Sequence, residues 1–284
     1  MAAGADLSPT VGIVAGSGVL PFSVAELLRA RGIAPFLFAI RGFCDPVRAA
    51  QFPHHWVALG QVGRLTRLMR AEGCRDIVFV GGLVRPALSD IRLDFGTLRA
   101  LPAIAAAMRG GDDHLLTGIS RIFGRHDIRV VGIKDVAPEL LMPEGNITRS
   151  VPDADALSDI AKGRDLMGAL SPFDVGQAVV VIDGHVVGVE GIEGTDGLLS
   201  RVAQLRADKR IRAKLGRGVL VKMPKTEQDL RFDLPTLGPK TIEGVAAAGL
   251  AGIAIAAGHA LVAEADVMTA KADQAGLFVT GLAL

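Results

Sequence analysis

Short apolar runs alternate with helix-forming segments along the first half of the chain, and this alternation restricts the fold more than any other feature. Helices are predicted over residues 21–32 and 60–73. Further helical structure is predicted after the third strand, through Arg109. Strands that alternate with helices pair in parallel and are joined by right-handed crossovers. We therefore predict a parallel α/β sheet built from the runs VGIVA (11–15), APFLFAI (34–40), DIVFVGG (76–82) and IRVVGI (128–133).

The second half follows a different order and predicts a second α/β domain. Residues 136–155 carry three prolines and few periodic apolar positions, which is typical of a linker. Residues 177–190 have the pattern of a β-hairpin, with Asp183 and Gly184 in the turn. Further elements are predicted after it: a helix near 195–208, a strand at 218–222 and a helix near 241–248. The predicted organisation is an N-terminal domain (1–138), a linker (139–155) and a C-terminal domain (156–284).

The charge balance and the cysteine content narrow the cellular setting. With 31 basic and 30 acidic residues the net charge is +1, so nucleic acid is not expected as a partner. The two cysteines, Cys44 and Cys74, lie far apart in sequence, which excludes a disulfide framework and fits a reducing compartment. No basic region precedes the first apolar run, so no signal peptide is expected. We predict a cytoplasmic protein.

One apolar run, residues 245–263, is long enough to cross a membrane. It is rich in alanine and glycine, is interrupted by His259, and lacks flanking basic or aromatic anchors. It also divides at Gly249 into a helix end and a buried strand near 252–257. We therefore expect no transmembrane helix here.

A Gly-Ser-Gly motif follows the first predicted strand, in VGIVAGSGVLPF (11–22). Glycines at a strand-to-helix turn let backbone N–H groups approach an anion at the helix N-terminus. A dinucleotide site would need a third glycine where Pro21 stands and an acidic residue where Arg41 stands. These two residues argue against a nicotinamide cofactor. A phosphate or nucleotide loop of another kind and a tight structural turn both remain open.

Acidic residues concentrate in two further segments. In RGGDDHLLTGIS (109–120), Asp112 and Asp113 could cap a helix or present acceptors to a ribose or a metal. In EGIEGTDGLLSR (190–201), three acids stand at a predicted strand-to-helix junction: Glu190, Glu193 and Asp196. Thr195 or Asp196 is predicted as the helix N-cap, which accounts for one acid. Carboxylates at this density suit a hard cation such as Mg²⁺.

The segment VLVKMPKTEQDLRFDLPTLGPKT (219–241) mixes both charges. In DLRFD (229–233), an extended strand would place Asp229, Arg231 and Asp233 on one face. Lys222 and Lys225 lie just upstream, and Gln228 can donate or accept a hydrogen bond. Carboxylates beside cations are typical of phosphoryl or pyrophosphoryl hydrolysis. Charge pairing on a solvated edge strand is the alternative.

Four longer blocks resemble the LpxI-type UDP-2,3-diacylglucosamine pyrophosphatases of Gram-negative lipid A synthesis. In chain order they are IVAGSGVLP, GGDDHLL, DVGQAVVVIDGHVVGVEGIEGTDGLLSR and VKMPKTEQDLRFDLPTLGPKTIE. The similarity extends over nearly the whole chain, and no common fold requires the longer blocks. At Thr226 the chain departs from the proline expected after the lysine, which alters loop rigidity and no ligand.

The resemblance implies Mg²⁺-dependent hydrolysis of UDP-2,3-diacylglucosamine to UMP and 2,3-diacylglucosamine 1-phosphate (lipid X). Water is expected to attack the phosphorus on the sugar side. The implied fold is a Rossmann-like N-terminal domain and a distinct, mixed α/β C-terminal domain, with the lipid between them and domain swinging opening the site. Peripheral contact with the inner membrane is expected from the substrate, and assembly into a homo-oligomer is left open.

The same resemblance assigns roles to individual residues. Metal binding or water orientation is expected from the acids: Asp229 and Asp233 first, then Glu190, Glu193 and Asp196. Pyrophosphate oxygens would be neutralised by Lys222, Lys225 and Arg231. Substrate contacts are expected from ten further residues: Gly16, Ser17, Gly18, Gly81, Gly82, Asp112, Asp113, Gln177, Thr195 and Gln228. The alternative from a different class is a non-catalytic nucleotide- or lipid-binding module, in which the acids are surface charge.

Overall fold

The computed structural model describes residues 6–82, 94, 97, 120–173, 175–224, 231 and 234–284. This described chain divides into two compact units. The first contains the described residues up to Pro138 together with Arg231, and the second contains those from Glu139 onward apart from Arg231. Each unit has its own sheet and its own buried apolar core.

The first unit is a parallel α/β structure. Its elements in chain order are β1 (Thr10–Ala15), α1 (Leu20–Ala30), β2 (Ala34–Ile40), α2 (Pro46–Ala49), β3 (His54–Val57), α3 (Val62–Ala71), β4 (Asp76–Val80), β5 (Arg129–Val130) and α4 (Ile133–Val136). The strands pair in parallel in the order β3-β2-β1-β4-β5. The chain thus moves from β1 to β3 on one side and continues with β4 and β5 on the other.

This sheet confirms the predicted parallel arrangement, with two differences. HHWV (54–57) forms β3 beside β2, although its two histidines gave no sign of a strand. The run 128–133 contributes only two paired residues, because Ile133 already begins α4. The predicted ends of α1 are confirmed: Pro21 lies in its first turn, and Gly32 follows it with a φ of 77°.

Asp76, the first residue of β4, is a buried charge at the amino edge of this sheet, with 3% of its surface exposed. Its carboxylate accepts hydrogen bonds from Arg129 Nε and from the Ser8 backbone N–H, both at 2.6 Å. Burial opposes ionisation, but the hydrogen bonds from Arg129 and Ser8 outweigh it and lower the pKa of Asp76. The carboxylate therefore ties the segment before β1 to the sheet.

The second unit is a mixed α/β structure. Its elements in chain order are β6 (Gly145–Asn146), α5 (Ala154–Leu170), β7 (Ala178–Ile182), β8 (His185–Val189), α6 (Gly194–Ala207), β9 (Val219–Lys222), β10 (Thr236–Leu237), α7 (Pro239–Ala247), β11 (Gly252–Ala256), β12 (Leu261–Val262), α8 (Ala265–Gln274) and β13 (Phe278–Leu282). Six strands form one sheet in the order β6-β13-β11-β9-β7-β8, and β10 pairs with β12. Strands β9, β11 and β13 are parallel, whereas β7 runs antiparallel to β9.

Two apolar layers cover this sheet, one on each face. Residues of α5 pack on the face that carries Val219 and Val221 of β9. Residues of α6, α7 and α8 pack on the face that carries Leu220. Because side chains alternate along a strand, Lys222 shares the α6 and α7 face with Leu220.

The predicted hairpin is confirmed and is supported from the adjoining helix. Asp183 and Gly184 connect β7 to β8 with φ values of 47° and 75°, as a tight hairpin turn requires. Asp159 of α5 is buried, and its carboxylate accepts the backbone N–H groups of Asp183 (3.0 Å) and Gly184 (2.6 Å). This buried charge is therefore used to hold the turn.

The proline-rich segment predicted as a linker contains ordered structure. A 3₁₀ turn occupies Pro138–Leu140, and Met142 is buried in the core of the second unit. Residues 145–146 form β6, which pairs with β13. In the part of the chain that the structure describes, no helix is long and apolar enough to cross a membrane. The apolar run 245–263 instead contributes the end of α7 and the strands β11 and β12.

Candidate active site

The carboxyl ends of β1 and β4 meet where the strand order reverses, the position at which open α/β sheets bind ligands. Gly16, Ser17 and Gly18 follow β1, and Gly81 and Gly82 follow β4. Ser17 N–H donates to the Gly82 carbonyl at 2.9 Å, and Gly82 N–H donates to the Ser17 carbonyl at 3.1 Å. The structure therefore brings these five predicted residues together in two joined loops.

The surroundings of these glycines show which of them are tightly packed and which has room beside it. A Cβ on Gly16 would lie 2.7 Å from the Gly82 carbonyl oxygen, and one on Gly81 would lie 2.5 Å from that of Ser17. The N–H of Gly16 donates to the carbonyl of Val80 at the end of β4 (2.8 Å), and the hydroxyl of Ser17 donates to the Gly82 carbonyl (2.9 Å). Gly18, with a φ of 92°, has no atom of the described residues within 4 Å of where a Cβ would stand. Of these residues, Gly18 thus has the most room for a ligand.

A second group of predicted residues gathers at the carboxyl edge of the other sheet. Lys222 ends β9, and its register partner Ala178 begins β7 directly after Gln177. Met223 N–H donates to the Gln177 carbonyl at 3.0 Å, and Glu190 N–H donates to the Ala178 carbonyl at 2.8 Å. The pairing of three neighbouring strands therefore places Gln177, Glu190 and Lys222 at one edge.

Lys222 is buried, with 5% of its surface exposed, although it carries an ammonium group. Its Nζ donates to Thr195 Oγ1 at 2.9 Å and to the Thr236 carbonyl at 3.3 Å. Thr195 Oγ1 in turn donates to Glu190 Oε2 at 3.4 Å. A charged amine, a hydroxyl and a carboxylate are thus connected at the edge of the sheet.

The start of α6 corrects one prediction. Glu193 is the N-cap, without a side-chain capping hydrogen bond, so neither Thr195 nor Asp196 holds that position. Gly194 has a φ of 72°, which lets the chain enter the helix early. Thr195 consequently lies inside the first turn, and its hydroxyl contacts Lys222 and Glu190 instead of capping the helix.

The three acids of this segment have different partners. Glu193 Oε1 lies 3.0 Å from a guanidinium nitrogen of Arg201, and Asp196 Oδ2 lies 2.5 Å from Lys240 Nζ. Within the described ranges, no group of three or more His, Cys, Asp or Glu side chains is placed to hold a metal ion. Among these acids, Glu190 is the one that forms no ion pair with a described cation.

Arg231 belongs to the first unit, whereas Lys222 belongs to the second. The extended strand predicted for 229–233 is wrong at this residue, which lies in a turn beside Gly132. Arg231 lines a cavity of about 770 Å³ with Arg75 and Arg129. The other predicted site residues lie outside the described residues: Asp112, Asp113, Lys225, Gln228, Asp229 and Asp233.

Two partners at this edge were not predicted from the sequence. The Thr236 carbonyl accepts from Lys222, and Lys240 in the first turn of α7 pairs with Asp196. Lys240 is 44 positions from Asp196, so no local spacing connects them; the packing of α7 beside α6 does. Ion pairing with Asp196 raises the pKa of Lys240.

The fold and this edge define a two-unit α/β protein with a buried lysine at the carboxyl ends of its second sheet. Residues 10–140 match the LpxI N-terminal domain, and residues 143–280 match the LpxI C-terminal domain. The chain is 39% identical over 272 residues to the UDP-2,3-diacylglucosamine pyrophosphatase LpxI of Caulobacter vibrioides, covering 96% of this chain and 97% of that protein. The chain belongs to the LpxI family.

Proposed function

We propose that the chain hydrolyses UDP-2,3-diacylglucosamine to UMP and 2,3-diacylglucosamine 1-phosphate, as a pyrophosphatase of lipid A synthesis. The observation that carries this proposal is the similarity to the Caulobacter vibrioides pyrophosphatase along almost the full length of both chains. In the reaction, water adds to the phosphorus on the sugar side, and the bond from that phosphorus to the oxygen bridging to UMP breaks. Both products leave as phosphate monoesters.

Lys222 is the described residue best suited to stabilise the charge that develops on the pyrophosphate. A buried ammonium acts in a medium of low polarity, where its interaction with a phosphoryl oxygen is stronger than in water. Lys225 and Arg231 would add positive charge from the neighbouring segment. Gln177 and Gln228 are proposed as hydrogen-bonding contacts to the substrate.

Mg²⁺ prefers oxygen ligands, and the carboxylates of residues 190–196 and 229–233 are ligands of that kind. We propose Asp229 and Asp233 as its principal ligands, with Glu190 ahead of Glu193 and Asp196, because those two carboxylates already pair with Arg201 and Lys240. When bound, Mg²⁺ would offset negative charge on the pyrophosphate. Glu190 is half-buried and accepts a long hydrogen bond from Thr195, which leaves its carboxylate able to bind a cation.

The first unit is proposed to bind the nucleotide as a Rossmann-like domain. Support comes from the strand order, which reverses between β1 and β4, and from the room that the described residues leave beside Gly18 in the joined loops. Asp112 and Asp113 are proposed as acceptors for the ribose hydroxyls. Binding of the diacylglucosamine between the two units, and peripheral contact with the inner membrane in the cytoplasm, follow from the family resemblance and remain predictions.

The test is to incubate the purified chain with UDP-2,3-diacylglucosamine in H₂¹⁸O, with Mg²⁺ or with EDTA. We expect metal-dependent release of UMP, with ¹⁸O found in the sugar phosphate. Label found in UMP would place the attack on the other phosphorus. No release in either condition, together with tight binding of the substrate, would instead support the non-catalytic binding module.

An Asp229→Asn variant separates the two classes further. An enzyme should lose most of its turnover while keeping its affinity for the nucleotide, whereas a binding module has no turnover to lose. A homo-oligomer can be examined on the same samples by light scattering.

A further inference from the structure

The chain of contacts at the edge of the second sheet has a fixed direction. A lysine ammonium is a donor only, so Thr195 Oγ1 must accept the 2.9 Å hydrogen bond from Lys222. The single hydroxyl proton of Thr195 is then free to point toward Glu190 Oε2, 3.4 Å away. The order is therefore ammonium to hydroxyl to carboxylate, with one side chain contacting both charges.

Placing a hydroxyl between these charges has a chemical consequence. A lysine and a glutamate in direct contact both stay charged, but the field of each offsets that of the other, so the lysine attracts a phosphate less and the glutamate attracts a cation less. Glu193 and Asp196 are paired in this direct way nearby, since each contacts a basic side chain. Glu190 contacts Lys222 only through the Thr195 hydroxyl in the described part of the chain.

The backbone around Thr195 fixes where this hydroxyl stands. The residue lies in the first turn of a 14-residue helix, directly after Gly194, whose positive φ sets the entry of the chain. A threonine side chain has few rotamers in a helix because it is branched at Cβ. The hydroxyl is thus held by the helix, and not by the mobile end of a long side chain.

We propose that Thr195 is a positioning residue, whose hydroxyl stands between the Lys222 ammonium and the Glu190 carboxylate and keeps these two groups from pairing directly with each other. Its catalytic consequence rests on the function proposed above. In that function, Lys222 would act on the pyrophosphate and Glu190 on the metal, and Thr195 would act through both. A threonine that merely packs in the helix would not need its oxygen.

The variants Thr195→Val and Thr195→Ser test the role of that oxygen. Valine keeps the branched shape and removes the hydroxyl, and serine keeps the hydroxyl. We expect Thr195→Val to lower kcat by about 30-fold with KM changed less than threefold, since outer-shell partners typically contribute 10- to 100-fold. Thr195→Ser should restore kcat to within about threefold of the parent chain. Thr195→Val activity within twofold of the parent would overturn the proposal.

A second readout does not depend on turnover. The ammonium of Lys222 is followed by ¹H–¹⁵N NMR after labelling the lysines with ¹⁵N, and Lys222→Met identifies its signal. We expect the signal to shift or vanish in Thr195→Val and to persist in Thr195→Ser. An unchanged signal in Thr195→Val would overturn the proposal even if activity fell.

The matched control is Thr241→Val, the same substitution in the first turn of the neighbouring helix α7. It should leave the Lys222 signal unchanged. If the parent chain releases no UMP, the proposed function fails, and the NMR comparison still decides whether Thr195 positions Lys222. If the parent chain is active and Thr195→Val matches it, the proposed function stands and the inference fails.

Discussion

Two buried charged side chains stand at opposite ends of their strands, one in each unit. Asp76 begins β4 at the amino edge of the first sheet, and Lys222 ends β9 at the carboxyl edge of the second. Their exposed fractions are nearly equal, at 3% and 5%. Asp76 accepts from a guanidinium and a backbone N–H, and the contacts of Lys222 include a hydroxyl and a carbonyl.

This difference shows that burial alone does not reveal the role of a charge. A buried charge is costly unless its surroundings compensate for it. Asp76 is compensated by an opposite charge, and its bonds join the start of the chain to β4 and β5. Lys222 lies where parallel strands present their ligand-binding ends. The comparison therefore assigns Asp76 to stability and Lys222 to the proposed reaction.

The largest expected effect is that of Lys222→Met on activity. Methionine has a similar length and no charge, so we expect kcat/KM for UMP release to fall by about 10² to 10³. The melting temperature should change by less than about 3 °C, because methionine keeps the buried apolar stem of the side chain and removes an ammonium that is costly to bury. Thr195 and Thr236 are half-buried, so water can replace the lost bonds. A large drop in melting temperature with unchanged activity would reverse the assignment of Lys222.

Asp76→Asn should lower the stability of the fold and leave the activity nearly unchanged. It removes the charge that Arg129 and Ser8 stabilise, so we expect the free energy of unfolding to fall by roughly 2–4 kcal/mol. The kcat of the folded protein should stay within about twofold. Urea unfolding and the UMP assay measure the two quantities. Asp45→Asn, which keeps a side-chain oxygen at the exposed N-cap of α2, is the control and should cost about 1 kcal/mol or less.

The sequence predicted the elements whose signals are local. The β7–β8 hairpin was found from Asp183-Gly184, and α1 from Pro21 and Gly32, because turns and helix ends depend on a few adjacent residues. Strand β3 was missed because its histidines hide the apolar pattern, and it is completed only by pairing with β2. The N-cap of α6 was misplaced because Gly194 alters the entry of the helix.

Side-chain partners were harder to predict than elements. Glu190, Thr195 and Lys222 were identified as site residues, but the order of their contacts depends on the pairing of β7, β8 and β9. Lys240 was missed because only the packing of α7 on α6 brings it to Asp196. Arg231 was expected in the second domain because it is close in sequence to Lys222, yet it belongs to the first unit.

The pH dependence of stability sharpens the assignment of Asp76. Its pKa in the folded chain is below the ordinary value of 3.8. Its contribution should therefore be complete above about pH 3.8 and should decline as the pH falls through the lower, folded value. We expect the stability difference between the parent chain and Asp76→Asn to be constant near pH 6 and to shrink below pH 3.8. Urea unfolding across this range measures it. A difference that persists in strong acid would mean that the hydrogen-bond geometry, and not the charge, provides the stability.

The smallest expected effect concerns the pair of Lys240 with Asp196, at the same edge as Lys222. Both side chains are largely exposed, so the melting temperature of Lys240→Gln should change by less than about 1 °C. If Asp196 contributes charge to the metal site, removing its lysine partner should lower the Mg²⁺ concentration for half-maximal activity by about threefold. The reason is that the lysine ammonium no longer competes with the metal ion for the carboxylate. The control is Lys271→Gln, which removes the exposed pair with Glu243 on α7 and should leave the magnesium requirement unchanged. Equal behaviour of the two variants would show that Asp196 is a surface charge, and the acids of the site would then be reduced to Glu190, Glu193, Asp229 and Asp233.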